Sequence, residues 1–338
     1  MMKRWRVGLI GCGWAGEQHA QAMKRLDERV ALAALADVRA DLAETKAGEW
    51  QVPVWTDHYP ELLDPNKLDL VNICLPHDLH ASVAIEAMEA GLHVLIEKPL
   101  ATSLAEADAM LAVAEQAGVK LMVAENVRYD RTYLKVVELI EAGALGDLFM
   151  IRISREHEMH DYLRQRPWFL QQESGGIMVS GGIHDYELLR MVGGEIKHVY
   201  GLTARKVLPE MAADDTSLAL VRLQSGAAAI LAESFSLKTP RPGVHGTIHG
   251  SQGSLWFYKE QIELYQASSD GRPERVEAMA VPAENTFEAE WRHFIDCLEH
   301  DREPLTNGWE QRKPLAAVLA TYESFRRGER VYLQELNP

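Results

Sequence analysis

Short apolar runs alternate with longer segments of helical periodicity over the first third of the chain. The runs cover residues 6–10, 30–36, 70–75, 93–96 and 120–124. They are continuous in apolar residues rather than alternating, which is typical of parallel strands buried on both faces. One helical segment ends at Gly91, and another begins after Ser103 and ends at Gly118. The pattern predicts an α/β fold with a doubly wound parallel sheet.

After residue 124 the pattern changes. A helix is expected at 133–142 and a strand at 148–157, and a glycine-rich start at Ser174-Gly175-Gly176 leads into a helix to 191. Strand-like segments separated by turns follow at 198–206, 216–223, 227–237, 244–249, 254–258 and 262–265, before helices at 285–300 and 309–327. This succession favours a large, mostly antiparallel sheet. With 338 residues, the chain is expected to form two domains, 1–124 and 125–338.

Composition and charge limit the partners. The chain has 50 Asp and Glu against 35 Lys and Arg, a net charge of -15, which disfavours binding to nucleic acid or to anionic membrane surfaces. The three cysteines lack zinc-type spacing and indicate no disulfide framework. The apolar run that follows Lys3 and Arg4 is too short for a signal peptide, and no segment is apolar enough to span a bilayer. We therefore expect a cytoplasmic protein.

A glycine-rich loop follows the first predicted strand. Its sequence, Gly11-Cys12-Gly13-Trp14-Ala15-Gly16, has the G-x-G-x-x-G spacing and opens a helix. This context predicts a dinucleotide site, because the glycines permit a tight turn and close approach of a pyrophosphate to the helix N-terminus. Asp37 ends the second strand, where its carboxylate would bind the adenosine ribose and repel a 2′-phosphate, with Arg39 nearby softening that repulsion. NAD is therefore expected in preference to NADP.

Further polar residues follow two other predicted strands. Leu75, Pro76, His77 and His80 come after the strand at 70–75, and Glu97-Lys98 with Pro99 comes after the strand at 93–96. In open α/β sheets, ligands bind at the carboxyl ends of the strands. A lysine that leaves the sheet there is placed to reach the nicotinamide region.

Together these motifs resemble the Gfo/Idh/MocA oxidoreductase family, which contains glucose–fructose oxidoreductase and the inositol dehydrogenases. The resemblance extends over nearly the whole chain. It rests on the glycine loop with Asp37, Pro76 followed by His80, Glu97-Lys98-Pro99, the segment Asn126-Val127-Arg128-Tyr129, and Gly175-Gly176 leading to Gly182-Ile183-His184.

The resemblance implies a Rossmann domain followed by an α/β domain whose open sheet serves in oligomer contacts, hence a homodimer or homotetramer. It also implies a nicotinamide cofactor and a sugar, polyol or related substrate. Lys98 and His184 are the implied catalytic residues, and Asn126 is an implied cofactor contact. The segment before the glycine-rich turn resembles the family's substrate loop; the candidate substrate residues are Lys98, Arg128, His157, Arg164, Trp168, Ser180 and His184.

One departure from the family pattern concerns the acid–base residues. Many members with dehydrogenase activity carry an aspartate four residues before the motif histidine, where this chain has Ser180. A second family aspartate corresponds to Glu187. Serine can donate or accept a hydrogen bond but cannot hold a negative charge beside His184.

The segment 155–161 is dense in residues that can bind metals. If the preceding strand continues through it, residue parity places His157 and His160 on opposite faces. We therefore expect no metal site there, but the rim of a cleft that faces solvent or substrate.

The leading hypothesis is an NAD(H)-dependent oxidoreductase acting on a secondary alcohol of a sugar or polyol. Two alternatives remain open. One is an NAD-dependent glycosidase or lyase that oxidises a ring carbon transiently, and the other is a non-catalytic regulator that senses a sugar or cofactor on the same fold.

Overall fold

The computed structural model describes residues 3–171, 175–238, 243–268 and 270–336. The chain divides into two compact units, residues 1–126 with 285–312, and residues 127–284 with 313–338. The first change of unit lies close to the expected boundary at 124. The expected domain 125–338 differs from the second unit in one respect, because residues 285–312 belong to the first. Ser174, expected to begin a helix, lies outside the described residues.

The helices of the described chain are, in order, α1 (Trp14–Arg25), α2 (Ala40–Trp50), α3 (His80–Glu89), α4 (Leu104–Ala117), α5 (Arg131–Glu141), α6 (His160–Arg164), α7 (Ile183–Gly193), α8 (Thr286–Glu299) and α9 (Gly308–Arg327). Its strands are β1 (Trp5–Ile10), β2 (Val30–Ala36), β3 (Val54–Thr56), β4 (Leu70–Ile73), β5 (His93–Glu97), β6 (Leu121–Ala124), β7 (Leu148–Glu156), β8 (Ile196–Ala204), β9 (Thr216–Leu223), β10 (Ala228–Ser234), β11 (Gly243–Gly250), β12 (Gly253–Tyr258), β13 (Gln261–Ala267), β14 (Pro273–Ala280) and β15 (Val331–Tyr332).

The first unit is built on a six-stranded parallel sheet with the order β3-β2-β1-β4-β5-β6. Its central strands are almost entirely buried, in agreement with their continuous apolar sequence. Helix α4 begins at a capping box in which Ser103 and Glu106 bond each other's backbone N–H groups, and it ends at Gly118 with φ 67°. From β1, the strands β2 and β3 extend to one side and β4, β5 and β6 to the other. The loops that follow β1 and β4 therefore lie at a switch point of the strand order.

The second unit contains a nine-stranded sheet with the order β14-β13-β12-β11-β7-β10-β9-β8-β15. Its neighbouring strands are antiparallel except for β10 and β7, which run parallel. The sheet is therefore mostly antiparallel but mixed. The predicted fold class is confirmed: a parallel Rossmann sheet is accompanied by a second α/β unit.

The two faces of the nine-stranded sheet differ in burial. On one face, residues such as Ile153, Val221 and Leu231 are buried. On the other face, Leu220 lies opposite both Ile230 and Tyr200 in register, and Leu218 lies opposite Leu202. These four leucine and isoleucine side chains are exposed, so this unit carries an open apolar face on its sheet.

Among the described residues, no helix combines the length and apolar character that crossing a bilayer requires.

Candidate functional site

The glycine loop lies between β1 and α1 and has the geometry that a dinucleotide needs. Gly11 has φ 98°, and a Cβ added to it would overlap the carbonyl oxygen of Cys74. A Cβ at Gly16 would overlap the carbonyl oxygen of Gly11, so α1 packs closely on the strand only because this residue is glycine. A Cβ added to Gly13, by contrast, would have no atom of another described residue within 4 Å, apart from its chain neighbours. This open space before the helix N-terminus fits the pyrophosphate of NAD.

Asp37 lies beside this loop, just after β2. Its Oδ2 accepts the backbone N–H of Cys12 at 2.9 Å, and its Oδ1 accepts the backbone N–H of Arg39 at 3.0 Å. The Arg39 guanidinium also contacts the carboxylate, with Nε 3.2 Å from Oδ1. Of the remaining loop positions, Trp14 is exposed and Ala15 is half-buried. The structure thus joins the glycine loop to the carboxylate predicted to bind ribose.

The loop after β4 approaches the glycine loop. A Cβ on Gly11 would lie 3.3 Å from Leu75 Cδ2. Leu75 and Pro76 are half-buried, whereas His77 is buried with its ring 5.6 Å from that of His80. Leu75 and Pro76 therefore belong to a loop that lies beside the glycine loop.

His80 has a different position from the one expected. Its side chain is fully buried, and its Nδ1 and Nε2 lie 2.7 Å and 3.0 Å from the carbonyl oxygens of Pro99 and Leu75. Burial lowers the pKa of His80. A ring enclosed in this way cannot contact a cofactor directly. It connects the loop after β4 to the loop after β5.

Glu97 is the last residue of β5, Lys98 follows it directly, and Asn126 lies two residues after the end of β6. All three are half-buried, and the peptide bond between Lys98 and Pro99 is cis. Glu97 Oε2 accepts the backbone N–H of Lys98 at 3.1 Å. Because the strands are parallel, these residues share the carboxyl edge of the sheet with the glycine loop and Asp37.

In the second unit, Ser180 and His184 lie on a helix that is not regular. Residues Met178–Gly182 form a π-helical turn, called the π-turn below, and α7 begins at Ile183. The expected uniform helix from 176 to 191 is therefore wrong in its first part. Ser180 is buried, while His184 is half-buried at the start of α7. π-Turns within helices occur frequently at functional sites.

Arg128 and Glu187 form an ion pair in this unit. The Arg128 Nε donates to Glu187 Oε1, and Arg190 Nη1 donates to Glu187 Oε2 at 2.9 Å. Glu187 is fully buried. Both of its oxygens are used in holding two guanidinium groups. Within the second unit, Glu187 is therefore a structural partner of Arg128 rather than a second acid beside His184.

The remaining substrate candidates lie on the segment after β7. The strand ends at Glu156 and α6 begins at His160, so the parity argument that placed His157 and His160 on opposite faces is wrong. His157 is half-buried, and burial lowers its pKa. Arg164 is exposed. The half-buried Trp168 packs on Phe169, with the two ring centroids 4.1 Å apart.

In the part of the chain that the structure describes, no group of three or more His, Cys, Asp and Glu is arranged to hold a metal ion.

Sequence reasoning missed a buried charge cluster beneath the π-turn. Arg155 on β7 donates to Asp185 Oδ1 at 2.6 Å and 3.1 Å, and its Nε lies 4.0 Å from Glu233 Oε2 on β10. Asp185 and Glu233 are both buried, so two carboxyl groups share one guanidinium. The sequence signal for such a cluster is a charged residue on the apolar face of a strand. Glu233 lies two residues after the buried Leu231 and therefore on the same face of β10.

The Glu233 carboxyl lies against the backbone of the π-turn. Cβ atoms built on Gly181 and Gly182 would lie 3.5 Å from its Oε2 and Oε1. Burial raises the pKa of Glu233 well above its ordinary value, and the negative Asp185 raises it further. A carboxyl group with its pKa raised in this way favours its protonated form, which can donate to Asp185.

Glu233→Gln should make the protein more resistant to alkaline conditions. The raised pKa means that the native state keeps a proton that the unfolded state loses, so this group's contribution to stability falls as pH rises above the ordinary glutamate range. Glutamine is neutral and keeps a donor. The measured quantity is the Tm of Glu233→Gln minus the Tm of the wild type. We expect this difference to be about 2–4 °C higher at pH 8 than at pH 5. Scanning calorimetry at both pH values measures this difference.

Glu274→Gln, on the exposed strand β14, is the matched control and should show no such change between the two pH values. A Glu233→Gln variant whose Tm difference from wild type is the same at pH 5 and pH 8 would contradict the protonated state of Glu233.

Comparison with known proteins agrees with this geometry. Residues 5–125 match the family described as "Oxidoreductase family, NAD-binding Rossmann fold", and residues 133–256 match the GFO/IDH/MocA C-terminal domain. A D-apiose dehydrogenase of Paraburkholderia graminis is 29% identical, with 99% of this chain and 91% of that protein covered. A myo-inositol 2-dehydrogenase of Thermotoga maritima is 28% identical, with 98% and 99% covered.

A solved structure has the same fold. The complex of a levoglucosan dehydrogenase with NADH and levoglucosan superposes with a TM-score of 0.89 at 21% identity, covering 98% of this chain and 100% of that one. The glycine loop, Asp37 and the two family matches together confirm the resemblance found in the sequence and the NAD cofactor. The chain belongs to the Gfo/Idh/MocA family of NAD-binding oxidoreductases.

Proposed function

We propose that this protein oxidises a secondary alcohol of a sugar or polyol with NAD+, and catalyses the reverse reduction with NADH. The observation that carries the proposal is the shared sheet edge of the first unit. The glycine loop after β1 and the Glu97-Lys98 pair at the end of β5 both lie at the carboxyl edge of one parallel sheet. A lysine on that edge is suited to act on the oxygen of a substrate bound next to a dinucleotide.

Lys98 and His184 carry the proposed acid–base chemistry. NAD+ supplies a hydride acceptor, which takes the hydrogen of the carbinol C–H with its electron pair. The hydroxyl group loses its proton to the imidazole of His184, and the carbinol becomes a carbonyl. The ammonium of Lys98 stabilises the negative charge that develops on the oxygen before the proton transfer is complete.

Substrate selection is proposed to rest on the second unit. Arg128 is held by Glu187, and Trp168 presents an aromatic ring on the segment after α6. Aromatic rings with neighbouring polar groups suit carbohydrates, which offer both apolar C–H faces and hydroxyl groups. The named relatives act on D-apiose and myo-inositol, so the proposed substrates are pentoses, cyclitols and related polyols.

A substrate screen tests this proposal. D-apiose, myo-inositol, scyllo-inositol and levoglucosan are each mixed with the enzyme and NAD+ or NADP+, and the absorbance of the reduced cofactor is followed. We expect NADH to accumulate in proportion to the carbonyl product for at least one polyol or sugar. If none of them, nor a wider set of sugars and polyols, reduces NAD+, the proposal is rejected.

We further propose a cytoplasmic homo-oligomer, a dimer or tetramer, assembled through the open apolar face of the nine-stranded sheet. Leu202, Leu218, Leu220 and Ile230 form a continuous exposed group on that face. Exposed apolar groups of this kind are typical of subunit contacts. The three cysteines are all free, which supports a reducing compartment.

Leu220→Glu should dissociate the oligomer. A carboxylate at the centre of an apolar contact loses its hydration without gaining a partner, so we expect a shift of mass from oligomer to monomer. Light scattering coupled to size-exclusion chromatography measures this mass. Leu134→Glu, an exposed leucine on α5, is the control and should leave the mass unchanged. A monomeric wild-type protein would contradict the proposed assembly.

A further inference from the structure

A chain of hydrogen bonds in the first unit runs from α8 through α1 to the end of β5. The Trp291 Nε1–H donates to His19 Nδ1 at 2.9 Å. His19 Nε2 lies 3.2 Å from Glu97 Oε1, and Glu97 Oε2 accepts the backbone N–H of Lys98 at 3.1 Å. Three segments distant in sequence are therefore connected, and the connection ends at the proposed catalytic lysine.

The indole donor determines the tautomer of His19. Because the indole N–H only donates, His19 Nδ1 accepts and carries no proton. The ring proton is then on Nε2, where it donates to Glu97. The side chains of Trp291 and His19 are both fully buried, so water does not replace the contact between them. A ring contact between His19 and Phe287, with centroids 5.0 Å apart, further restricts the imidazole.

Both oxygens of Glu97 are thus engaged, one by His19 and one by the backbone of Lys98. The next residue, Pro99, is held through its carbonyl oxygen by His80. The peptide group before Lys98 and the carbonyl group of Pro99 are therefore both tied to the sheet edge. Through Trp291 and His19, helix α8 controls the orientation of the Glu97 carboxylate.

We propose that Trp291 and His19 are positioning residues that orient Lys98 through Glu97, an inference that rests on the catalytic role proposed for Lys98. Neither residue touches substrate or cofactor in this account. Their contribution is to fix the direction from which the lysine side chain leaves the sheet. Misplacement of a catalytic group by about 1 Å lowers turnover by about 100-fold, so the expected effect is on kcat rather than on cofactor binding.

Buried Glu290 does not compete with Glu97 for this contact. Burial raises the pKa of Glu290 well above its ordinary value, and the negative charges of Glu97 and Glu125 raise it further. Among the described residues, neither oxygen of the Glu290 carboxyl has a hydrogen-bond partner, so Glu290 does not occupy the contact to His19. The carboxylate that receives the His19 proton donor remains the one next to Lys98.

Two substitutions of His19 separate the donor from the bulk of the ring. Glutamine places an amide N–H2 near the position of Nε2 and so keeps a donor for Glu97, whereas asparagine reaches only the position of Nδ1. With the best substrate of the screen and saturating NAD+, we expect His19→Asn to lower kcat by about 10- to 100-fold. We expect His19→Gln to stay within about threefold of wild type. The KM for NAD+ should change little in both.

Trp291→Phe removes the indole donor and keeps an aromatic ring, and we expect it also to lower kcat without raising the KM for NAD+. Trp5→Phe is the matched control, because Trp5 is buried in the same unit and no partner is found for its Nε1 among the described residues. It should leave kcat unchanged. Circular dichroism and NADH titration by fluorescence confirm that each variant is folded and binds cofactor.

Lys98→Met is measured in the same series. If it is inactive while His19→Asn and Trp291→Phe keep the wild-type kcat, the positioning role is overturned and the proposed function stands. Equal losses in His19→Asn and His19→Gln would also overturn it, because they would indicate packing rather than the donor to Glu97. If Lys98→Met keeps its turnover, both the proposed function and this inference are overturned.

Discussion

Lys98→Met is expected to lower kcat by about 10²- to 10⁴-fold while the dissociation constant for NADH stays nearly unchanged. Methionine has a similar length but no ammonium group, so it can neither stabilise the developing alkoxide nor exchange a proton with it. The glycine loop and Asp37, which are predicted to hold the dinucleotide, are untouched by the change. Steady-state oxidation of the best substrate gives kcat, and fluorescence titration with NADH gives the dissociation constant.

Lys67→Met is the control for this variant. Lys67 is an exposed lysine of the same unit that pairs with Asp64, so its loss should leave kcat unchanged. His184→Ala should show a loss of the same order as Lys98→Met, since it removes the proposed proton acceptor. A Lys98→Met enzyme with a near wild-type rate would show that the chemistry is carried out elsewhere.

Asp37→Asn is expected to remove most of the preference for NAD+ over NADP+. In the wild type, a carboxylate facing the 2′-phosphate is a like-charge contact, and such contacts cost several kcal/mol, or about 100-fold or more in affinity. Arg39 already contacts that carboxylate and reduces the difference in affinity between NAD+ and NADP+ without removing it. Asparagine keeps an acceptor for the backbone N–H of Cys12, so the loop should remain in place. The ratio of the two dissociation constants measures the effect.

Asp41→Asn is a suitable control for general charge effects, because it removes a carboxylate from the exposed first turn of α2. Its ratio of dissociation constants should match that of the wild type. Equal affinity of the wild-type protein for NAD+ and NADP+ would contradict the role given to Asp37.

Five of the six strands of the parallel sheet could be predicted closely, because each of them is a continuous apolar run with a defined end, whereas the short strand β3 was not predicted. The run at 30–36 matches Val30–Ala36, and the helix expected after Ser103 begins at Leu104. The candidate site on this unit followed directly, because the carboxyl ends of parallel strands share one edge. These are local signals, and local signals are what a sequence carries most clearly.

Other features depend on contacts between distant residues. The π-turn leaves no trace in the apolar pattern, because all five of its residues are buried. His19 lies on the buried face of α1 together with Gly16 and Met23, so its burial could have been predicted from spacing. Its partners, at positions 97 and 291, could not. The same holds for residues 285–312, whose helical sequence does not indicate that they belong to the first unit.

The central claim is that hydride moves from a carbinol carbon of a sugar or polyol to NAD+ and leaves the enzyme as NADH. The most direct measurement uses the best substrate of the screen with deuterium at the oxidised carbon, and mass spectrometry of both products. The account predicts one deuterium in free NADH for each molecule of carbonyl product formed. Product that keeps its deuterium, formed without any release of NADH, would contradict it and would indicate transient oxidation within a hydrolase or lyase cycle.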